Sequence, residues 1–162
     1  MKIGICDDNI LYLKFLDETV NKLFLNTKGI FVDALNPSEL SLQIKNSSCP
    51  YDIIITDIDM GTYNGINFAK EINLINSSCI IIFVSNFINF ATEVYDVQHI
   101  YFVLKSEAEL RLPKALEKAF LVYDERISNF LTIRYQNVEF RISLMDITHI
   151  EALGRYLYIH DI

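Results

Sequence analysis

Short apolar runs alternate with longer amphipathic segments through most of this sequence. Residues 2–6, 53–56 and 79–84 form runs of strand length, and their nearly continuous apolar or β-branched side chains are typical of strands buried on both faces. Two more strands are predicted at residues 29–35 and 100–104. Apolar positions three and four apart predict a helix after each strand, at residues 10–26, 37–45, 66–72, 89–96 and 113–127. Five such repeats predict an α/β fold, with a parallel sheet between two layers of helices.

The rhythm changes after residue 130, where apolar and polar residues alternate. Residues 131–135 and 138–142 predict a β-hairpin joined by Gln136-Asn137, and residues 147–152 and 155–160 predict two further strands. We therefore predict two domains, an α/β domain at 1–127 and an all-β region at 128–162. The apolar positions of that region need a partner to cover them, among them Phe140, Leu144, Ile150 and Leu157.

Composition narrows the class of protein. Apolar residues make up 51% and charged residues 22% of the chain, which is typical of a folded domain. No apolar run reaches the roughly 18 residues of a membrane span, and the N-terminus turns acidic too early for a signal peptide. Three cysteines without a CxxC pair indicate a reducing cytoplasm. The net charge of −7 disfavours nucleic-acid binding by the chain as given.

Polar residues follow the predicted strands, where ligands bind in sheets of this kind. They are Asp7 and Asp8 after the first strand, Asp57 with Asp59 after the third, Ser85 after the fourth and Lys105 after the fifth. Converging carboxylates repel one another unless a cation joins them, and Mg²⁺ prefers such oxygen ligands. A lysine and a hydroxyl suit a phosphoryl group, and a carboxylate can accept one. The set therefore predicts an acyl-phosphate site. The three histidines lack metal-ligand spacing and are expected to be surface or structural residues.

This set of residues resembles the receiver domain of two-component response regulators, over about residues 2–127. The resemblance implies a flavodoxin-like, doubly wound, five-stranded sheet of order 2-1-3-4-5. It implies that Asp57 is the phosphoacceptor and that a sensor histidine kinase is the donor. By the same resemblance, Mg²⁺ is held by Asp7, Asp8, Asp57 and the backbone carbonyl of Asp59, and the phosphoryl group is bound by Ser85 and Lys105. Phe102 falls at the family's aromatic switch position.

Three positions depart from the family pattern. The family usually has proline where this chain has Gly61, a small residue where it has Asn86, and proline where it has Ser106. Asn86 is expected to narrow access to the phosphoryl group. The bond before Ser106 is expected to be trans or strained, because a cis bond without proline costs about 2.5–4 kcal/mol. We expect these changes to alter the kinetics of phosphorylation more than the assignment.

Residues 130–162 resemble the opening of a LytTR-type DNA-binding domain that ends early, in which Arg155 and Tyr156 would be candidates to face DNA. DNA binding is accordingly expected of a longer protein. The resemblance further implies a homodimer through the fourth helix, the fifth strand and the fifth helix, a cytoplasmic location without membrane contact, and no enzymatic activity beyond self-phosphorylation and autodephosphorylation.

Three alternatives stay open. The run from Asp57 to Thr62 also resembles the motif of haloacid-dehalogenase phosphatases, in which Asp57 would be the nucleophile and Asp59 the general acid/base. That motif normally follows the first strand, however, and it does not explain Asp7 and Asp8. A flavodoxin-like electron carrier would need a phosphate loop where the two aspartates would repel FMN. A phosphate-independent interaction module would result if Asn86 and Ser106 disable the site.

Overall fold

Five parallel strands form the central sheet of this computed structural model, which describes residues 1–25, 27–46, 48–135 and 138–161. The strands are β1 (Lys2–Cys6), β2 (Phe31–Leu35), β3 (Ile53–Asp57), β4 (Ile80–Ser85) and β5 (Tyr101–Leu104). Their order is β2-β1-β3-β4-β5, so the predicted doubly wound sheet is confirmed. Contacts divide the chain into two compact units, Met1–Ala119 and Phe120–Ile162.

The centre of the sheet is the most deeply buried part of the first unit. Every residue of β3 and β4 is buried, as their continuous apolar sequence predicted. Ile55 pairs in register with Ile5 on one side and Ile82 on the other, and Phe83 pairs with Phe102 on the outer strand. This apolar packing fixes the ends of the strands relative to one another, and with them the residues that follow each strand.

Side-chain caps define where the helices begin. The helices are α1 (Ile10–Leu23), α2 (Pro37–Lys45), α3 (Gly65–Ile75) and α4 (Ala108–Ser128). Asn9 rather than Asp8 caps α1, because its side-chain oxygen accepts the N–H groups of Leu11 and Tyr12 at 3.0 and 3.1 Å. Capping by the asparagine leaves the side chain of Asp8 outside the cap. Asn26, the predicted end of the first helix, lies outside the described residues.

Two helix predictions were wrong in detail. The predicted helix at 89–96 is instead a pair of 3₁₀ turns, Ile88–Ala91 and Glu93–Asp96, and neither has a side-chain cap. Asparagine, threonine, valine, tyrosine and aspartate favour an α-helix only weakly, so apolar spacing alone could not establish one here. The last helix begins before Pro113 rather than at it, and the buried Ala108 and Leu112 anchor its first turns.

The second unit contains the predicted hairpin and the two further predicted strands, which form a second antiparallel pair. Strands β6 (Phe130–Tyr135) and β7 (Val138–Ser143) form one pair, and β8 (Ile147–Leu153) and β9 (Tyr156–Asp161) form the other. Gln136-Asn137, the predicted connection of the first pair, lies outside the described residues. The apolar positions expected to need cover are exposed, namely Phe140, Leu144, Ile150 and Leu157. Among the described residues, no helix combines the length and the apolar character needed to cross a membrane.

Candidate functional site

Four polar residues from different strands meet at the carboxyl edge of the sheet. Asp7 follows β1, Asp57 and Ser85 are the last residues of β3 and β4, and Lys105 follows β5. Asp7, Asp57 and Ser85 are buried among otherwise apolar strand ends. The strand order reverses between β1 and β3, so Asp7 and Asp57 flank the switch point where such sheets bind ligands. The structure thus brings together the residues that the sequence singled out on four separate strands.

Lys105 joins the two buried carboxylates. Its Nζ atom donates to Oδ2 of Asp7 and to Oδ2 of Asp57, at 2.6 Å in each case. Burial raises the pKa of Asp57, and the hydrogen bond and charge of Lys105 offset this only in part. Burial lowers the pKa of Lys105, but its bonds to both carboxylates outweigh that effect and raise the pKa overall. The lysine is therefore held in its charged form between the two acids.

Asp7, Asp8 and Asp57 together form an acidic cluster, and we call this cluster with Lys105 the acidic pocket. One carboxylate oxygen from each of the three aspartates lies within 4.8 Å of the others. Asp8 is exposed, so the cluster opens to solvent on that side. Three carboxylates face a single lysine, which leaves excess negative charge of the kind that a hard cation with oxygen ligands neutralises. The donor set and its opening fit Mg²⁺.

Backbone groups orient the two buried carboxylates. Oδ1 of Asp57 accepts the N–H of Ile58 at 2.6 Å, and Oδ1 of Asp7 accepts the N–H of Asn9 at 2.9 Å. The remaining oxygen of each group is the one bound by Lys105. Both carboxylates are thus fixed by one backbone bond and one ionic bond, so the pocket is ordered before any ligand enters.

Ser85 and Phe102 lie where the sequence predicted them. The hydroxyl of Ser85 is buried and accepts the N–H of Phe87 at 3.2 Å. No described group accepts its proton, so the hydroxyl keeps a donor for a ligand. The neighbouring Asn86 is exposed. Phe102 is partly buried against the apolar core, and its role as a switch stays a prediction.

The loop after Asp57 folds back as a short hairpin, with Asp59–Met60 paired to Tyr63–Asn64. Asp59 begins this hairpin with an exposed side chain, and its role through the backbone carbonyl stays a prediction. Gly61 in the turn has a φ of 69°, which proline cannot adopt, so the departure from the family's proline has a structural reason here. All peptide bonds of the described residues are trans, including the bond before Ser106.

Sequence reasoning missed Gly65, which lies directly against the backbone of Asp57. A Cβ atom on Gly65 would come within 2.0 Å of the carbonyl oxygen of Asp57. The N–H of Gly65 also donates to the carbonyl of Ile58 at 2.8 Å. A glycine before an apolar helical pattern signals only a turn, and the close approach becomes visible only in the fold.

Tyr12 was also missed, although it borders the acidic pocket. Its ring centroid lies 4.3 Å from Nζ of Lys105, within the range of a cation–π contact. Its hydroxyl is buried and has no hydrogen-bond partner among the described residues. Burial, together with the charges of Asp7 and Asp57, raises the pKa of this phenol. A tyrosine on the first turn of a helix gave no signal of this placement.

The two candidate DNA-facing residues lie in the second unit. Arg155 is in the turn between β8 and β9, and Tyr156 begins β9. Both side chains are exposed, and Gly154 beside them takes a φ of 64° in the turn. Their exposure leaves them available to a partner, and a role toward DNA stays a prediction.

Comparison with known proteins places the first unit in a family. The family model described as response regulator receiver domain matches residues 3–117. No curated protein sequence matches the chain. Among solved structures, the chain is 25% identical to the N-terminal domain of a response regulator/sensory box/GGDEF 3-domain protein from Carboxydothermus hydrogenoformans. That match has a TM-score of 0.60 and covers 78% of this chain and 99% of the other.

Two further structures share the fold. The response regulatory domain of protein mrkE from Klebsiella pneumoniae is 20% identical with a TM-score of 0.66, over 77% of this chain and 99% of that one. Response regulator TrrA from Thermotoga maritima, solved in complex with Mg²⁺-BeF, is 23% identical with a TM-score of 0.60, over 73% of this chain and 97% of that one.

Proposed function

Because the chain belongs to the response regulator receiver domain family of two-component systems, we propose that it is a phosphorylation-controlled switch. In this proposal a sensor histidine kinase donates a phosphoryl group to the carboxylate of Asp57. The observation that carries the proposal is the contact of Lys105 with both Asp7 and Asp57 at 2.6 Å, at the switch point of the sheet. Such a carboxylate is fixed in place, charged and next to a cation.

The transfer forms one bond and breaks one. A carboxylate oxygen of Asp57 attacks the phosphorus atom, while the bond from phosphorus to the imidazole nitrogen of the kinase breaks and its electron pair stays with that nitrogen. Lys105 then pairs with a phosphoryl oxygen in place of the Asp57 oxygen. The buried hydroxyl of Ser85, which keeps a free donor, binds another phosphoryl oxygen. Water hydrolyses the acyl phosphate later and restores the carboxylate.

Mg²⁺ is the proposed cofactor of this site. Its ligands would be Asp7, Asp8, Asp57 and the backbone carbonyl of Asp59. When bound, the ion would offset the negative charge that accumulates as a phosphoryl group approaches three carboxylates. The acidic cluster, whose oxygens lie within 4.8 Å of one another, supports this assignment. The complex of TrrA with Mg²⁺-BeF supports it further, as a property of that protein.

The output of the proposed switch is conformational. The added phosphoryl charge would recruit Ser85 and bias the surface formed by residues 88–96, β5 and α4, with Phe102 as the reporting side chain. That surface is the proposed homodimer contact. The chain would act in the cytoplasm and catalyse only its own phosphorylation and dephosphorylation.

Intact mass after incubation with acetyl phosphate tests the acceptor. With Mg²⁺, the wild type should gain a single phosphoryl group, and Asp57→Asn should gain none because an amide cannot form the acyl phosphate. The Asp57→Asn variant should remain folded. It removes one of the two buried carboxylates at Lys105 and leaves the bond to Asp7 in place, so its free energy of unfolding should equal or exceed that of the wild type.

Asp59→Asn is the matched control. Its side chain is exposed and outside the bonds of the acidic pocket, so phosphorylation should persist in this variant. In the haloacid-dehalogenase alternative, the same change would remove the general acid/base. Multiple-turnover hydrolysis of a phosphate ester that is lost in Asp59→Asn would therefore favour the phosphatase. A phosphoryl adduct on Asp57→Asn would refute the acceptor assignment.

The second unit supports a proposed output through DNA. Two antiparallel strand pairs at residues 130–161 agree with the resemblance to a LytTR-type domain, and Arg155 and Tyr156 are exposed in one of them. We expect duplex DNA to bind this chain weakly or not at all, and any binding to be weaker for Arg155→Gln. Fluorescence anisotropy with a labelled duplex measures both. Equal affinities would remove Arg155 from the proposed interface.

A further inference from the structure

Two histidines and a glutamate converge on one face of the β8–β9 hairpin. His149 on β8 is the direct register partner of His160 on β9. Their rings stack with centroids 4.1 Å apart and planes inclined by 6°. Glu151 lies two residues beyond His149 and therefore on the same face of the strand. All three side chains are about half exposed, at 55%, 52% and 45%, so the group is open to solvent. We call these three residues the histidine cluster.

The hydroxyl of Thr148 determines which nitrogen of His149 is available. The hydroxyl donates its proton to the carbonyl oxygen of His160 at 3.0 Å. Its oxygen also lies 3.2 Å from Nδ1 of His149. Because the hydroxyl proton is already used, this second contact requires Nδ1 to be the donor. A neutral imidazole protonated on Nδ1 presents a lone pair on Nε2, and a hydrogen bond of this kind typically orients histidines that bind metals.

The carboxylate of Glu151 lies across both imidazoles. Its Oε1 is 3.7 Å from Nε2 of His149, and its Oε2 is 3.7 Å from Nε2 of His160. One ligand atom of each residue lies within 4.8 Å of the others. The Nε2 of His149 and the carboxylate oxygens are all acceptors when the histidine is neutral. The arrangement thus gathers ligand atoms of three residues on one face of the hairpin. The two rings are stacked in parallel planes, so both imidazoles must turn out of the stack for their Nε2 lone pairs to converge on one ion.

We propose that the histidine cluster binds a divalent transition-metal ion of the zinc class. The ligands are Nε2 of His149, Nε2 of His160 and the carboxylate of Glu151, with water at the remaining position. Two imidazoles and one carboxylate suit such ions, whereas Mg²⁺ prefers oxygen ligands alone. The site differs in chemistry from the acidic pocket, whose candidate metal ligands are all oxygen atoms. Nothing in this inference depends on phosphorylation of Asp57.

Zn²⁺ and Co²⁺ are the probes, titrated into the full chain with excess Mg²⁺ present to fill the acidic pocket. Isothermal titration should show one equivalent of Zn²⁺, and Co²⁺ should give a visible absorption band. His149→Gln, His160→Gln and Glu151→Gln should each weaken Zn²⁺ binding by about 10-fold or more, since even residues that only support a metal ligand contribute about 10- to 100-fold. All three side chains are exposed, so the variants should fold.

His99→Gln is the matched control, because His99 is the third histidine of the chain and lies in the first unit. It should bind Zn²⁺ as the wild type does. Cys49→Ser controls for thiol ligands and should also leave binding unchanged. Imidazole NMR signals of His149 and His160 should shift with Zn²⁺, and those of His99 should not. Absence of a stoichiometric site, or binding unchanged in His149→Gln and His160→Gln, would overturn the proposal.

Discussion

The two units both gather ionisable side chains, but they satisfy their charges in opposite ways. In the acidic pocket, Asp57 is 4% exposed, and its carboxylate is bound by a lysine and a backbone N–H. In the histidine cluster, Glu151 is 52% exposed and lies 3.7 Å from each imidazole, beyond hydrogen-bond distance. The buried carboxylates of the first cluster already have protein partners, although excess negative charge remains there for a cation, whereas the second cluster leaves its lone pairs open to a partner from outside.

The difference follows from how each unit is packed. A parallel sheet covered by helices buries the ends of its central strands, so a carboxylate there must find a protein partner or lose its charge. The β8–β9 hairpin is only two strands wide, and the side chains of the histidine cluster are about half exposed on one of its faces. The comparison indicates that the acidic pocket is pre-organised, whereas the histidine cluster is ordered mainly by its register and by Thr148.

The largest expected difference in stability is between two phenylalanine substitutions, one in each unit. Phe83 is fully buried in β4, whereas Phe140 in β7 is 51% exposed. Phe83→Ala should lower the free energy of unfolding by about 3–5 kcal/mol, as usual for a large core cavity. Phe140→Ala should cost less than about 1 kcal/mol. Urea denaturation followed by circular dichroism measures both, and equal losses would contradict the contrast between a packed and an open unit.

A pair of glycine substitutions tests the same contrast in the backbone. Gly65→Ala should cost about 3 kcal/mol, because its Cβ would meet the carbonyl oxygen of Asp57 at 2.0 Å and the strand end must move. Gly154→Ala in the second unit should cost about 1 kcal/mol, since it has a φ of 64° but nothing within 4 Å of the added carbon. The free energies of unfolding of the two variants test this order. A larger loss of stability in Gly154→Ala than in Gly65→Ala would refute it.

Mg²⁺ should distinguish the two clusters. At a concentration ten times its dissociation constant, it should raise the free energy of unfolding by about 1.4 kcal/mol, because it binds the native state. Asp7→Asn should reduce this gain, and His149→Gln should preserve it. Thermal melts with and without MgCl₂ provide the measurement. If the stability gained with Mg²⁺ is lost in His149→Gln and kept in Asp7→Asn, Mg²⁺ binds at the histidine cluster, and the proposed site in the acidic pocket is refuted.

The smallest expected effect concerns two buried phenols of the first unit. Tyr12→Phe should raise the free energy of unfolding by up to about 1 kcal/mol, because it removes a buried hydroxyl without a hydrogen-bond partner among the described residues. Tyr51→Phe should lower it by about 1 kcal/mol, since the hydroxyl of Tyr51 accepts from Gln43 and donates to Asp33. Urea denaturation should therefore show changes of opposite sign in the free energy of unfolding of the two variants. A loss of stability in Tyr12→Phe would show that its hydroxyl has a partner.

Sequence patterns predicted the strands well and the weaker helix poorly. A strand buried on both faces is apolar nearly throughout, so β3 and β4 can be recognised in the sequence, and the fold confirms them. Residues 88–96 carry weak helix formers without a cap, and their local sequence did not reveal the two 3₁₀ turns. The sequence predicts the type of an element where burial requires a clear pattern of apolar residues. The prediction of element type becomes uncertain where the residues have weak conformational preferences.

The polar residues at the strand ends can be identified from the sequence alone, because parallel strands align their carboxyl ends and the sequence places Asp7, Asp57, Ser85 and Lys105 there. Contacts between segments that are distant in sequence became visible only in the fold. It placed Gly65 beneath Asp57 and Tyr12 over Lys105. It also paired His149 with His160, whose spacing along the chain showed no metal-ligand pattern. Periodicity reports the faces of one element, whereas register and packing between elements determine which side chains meet.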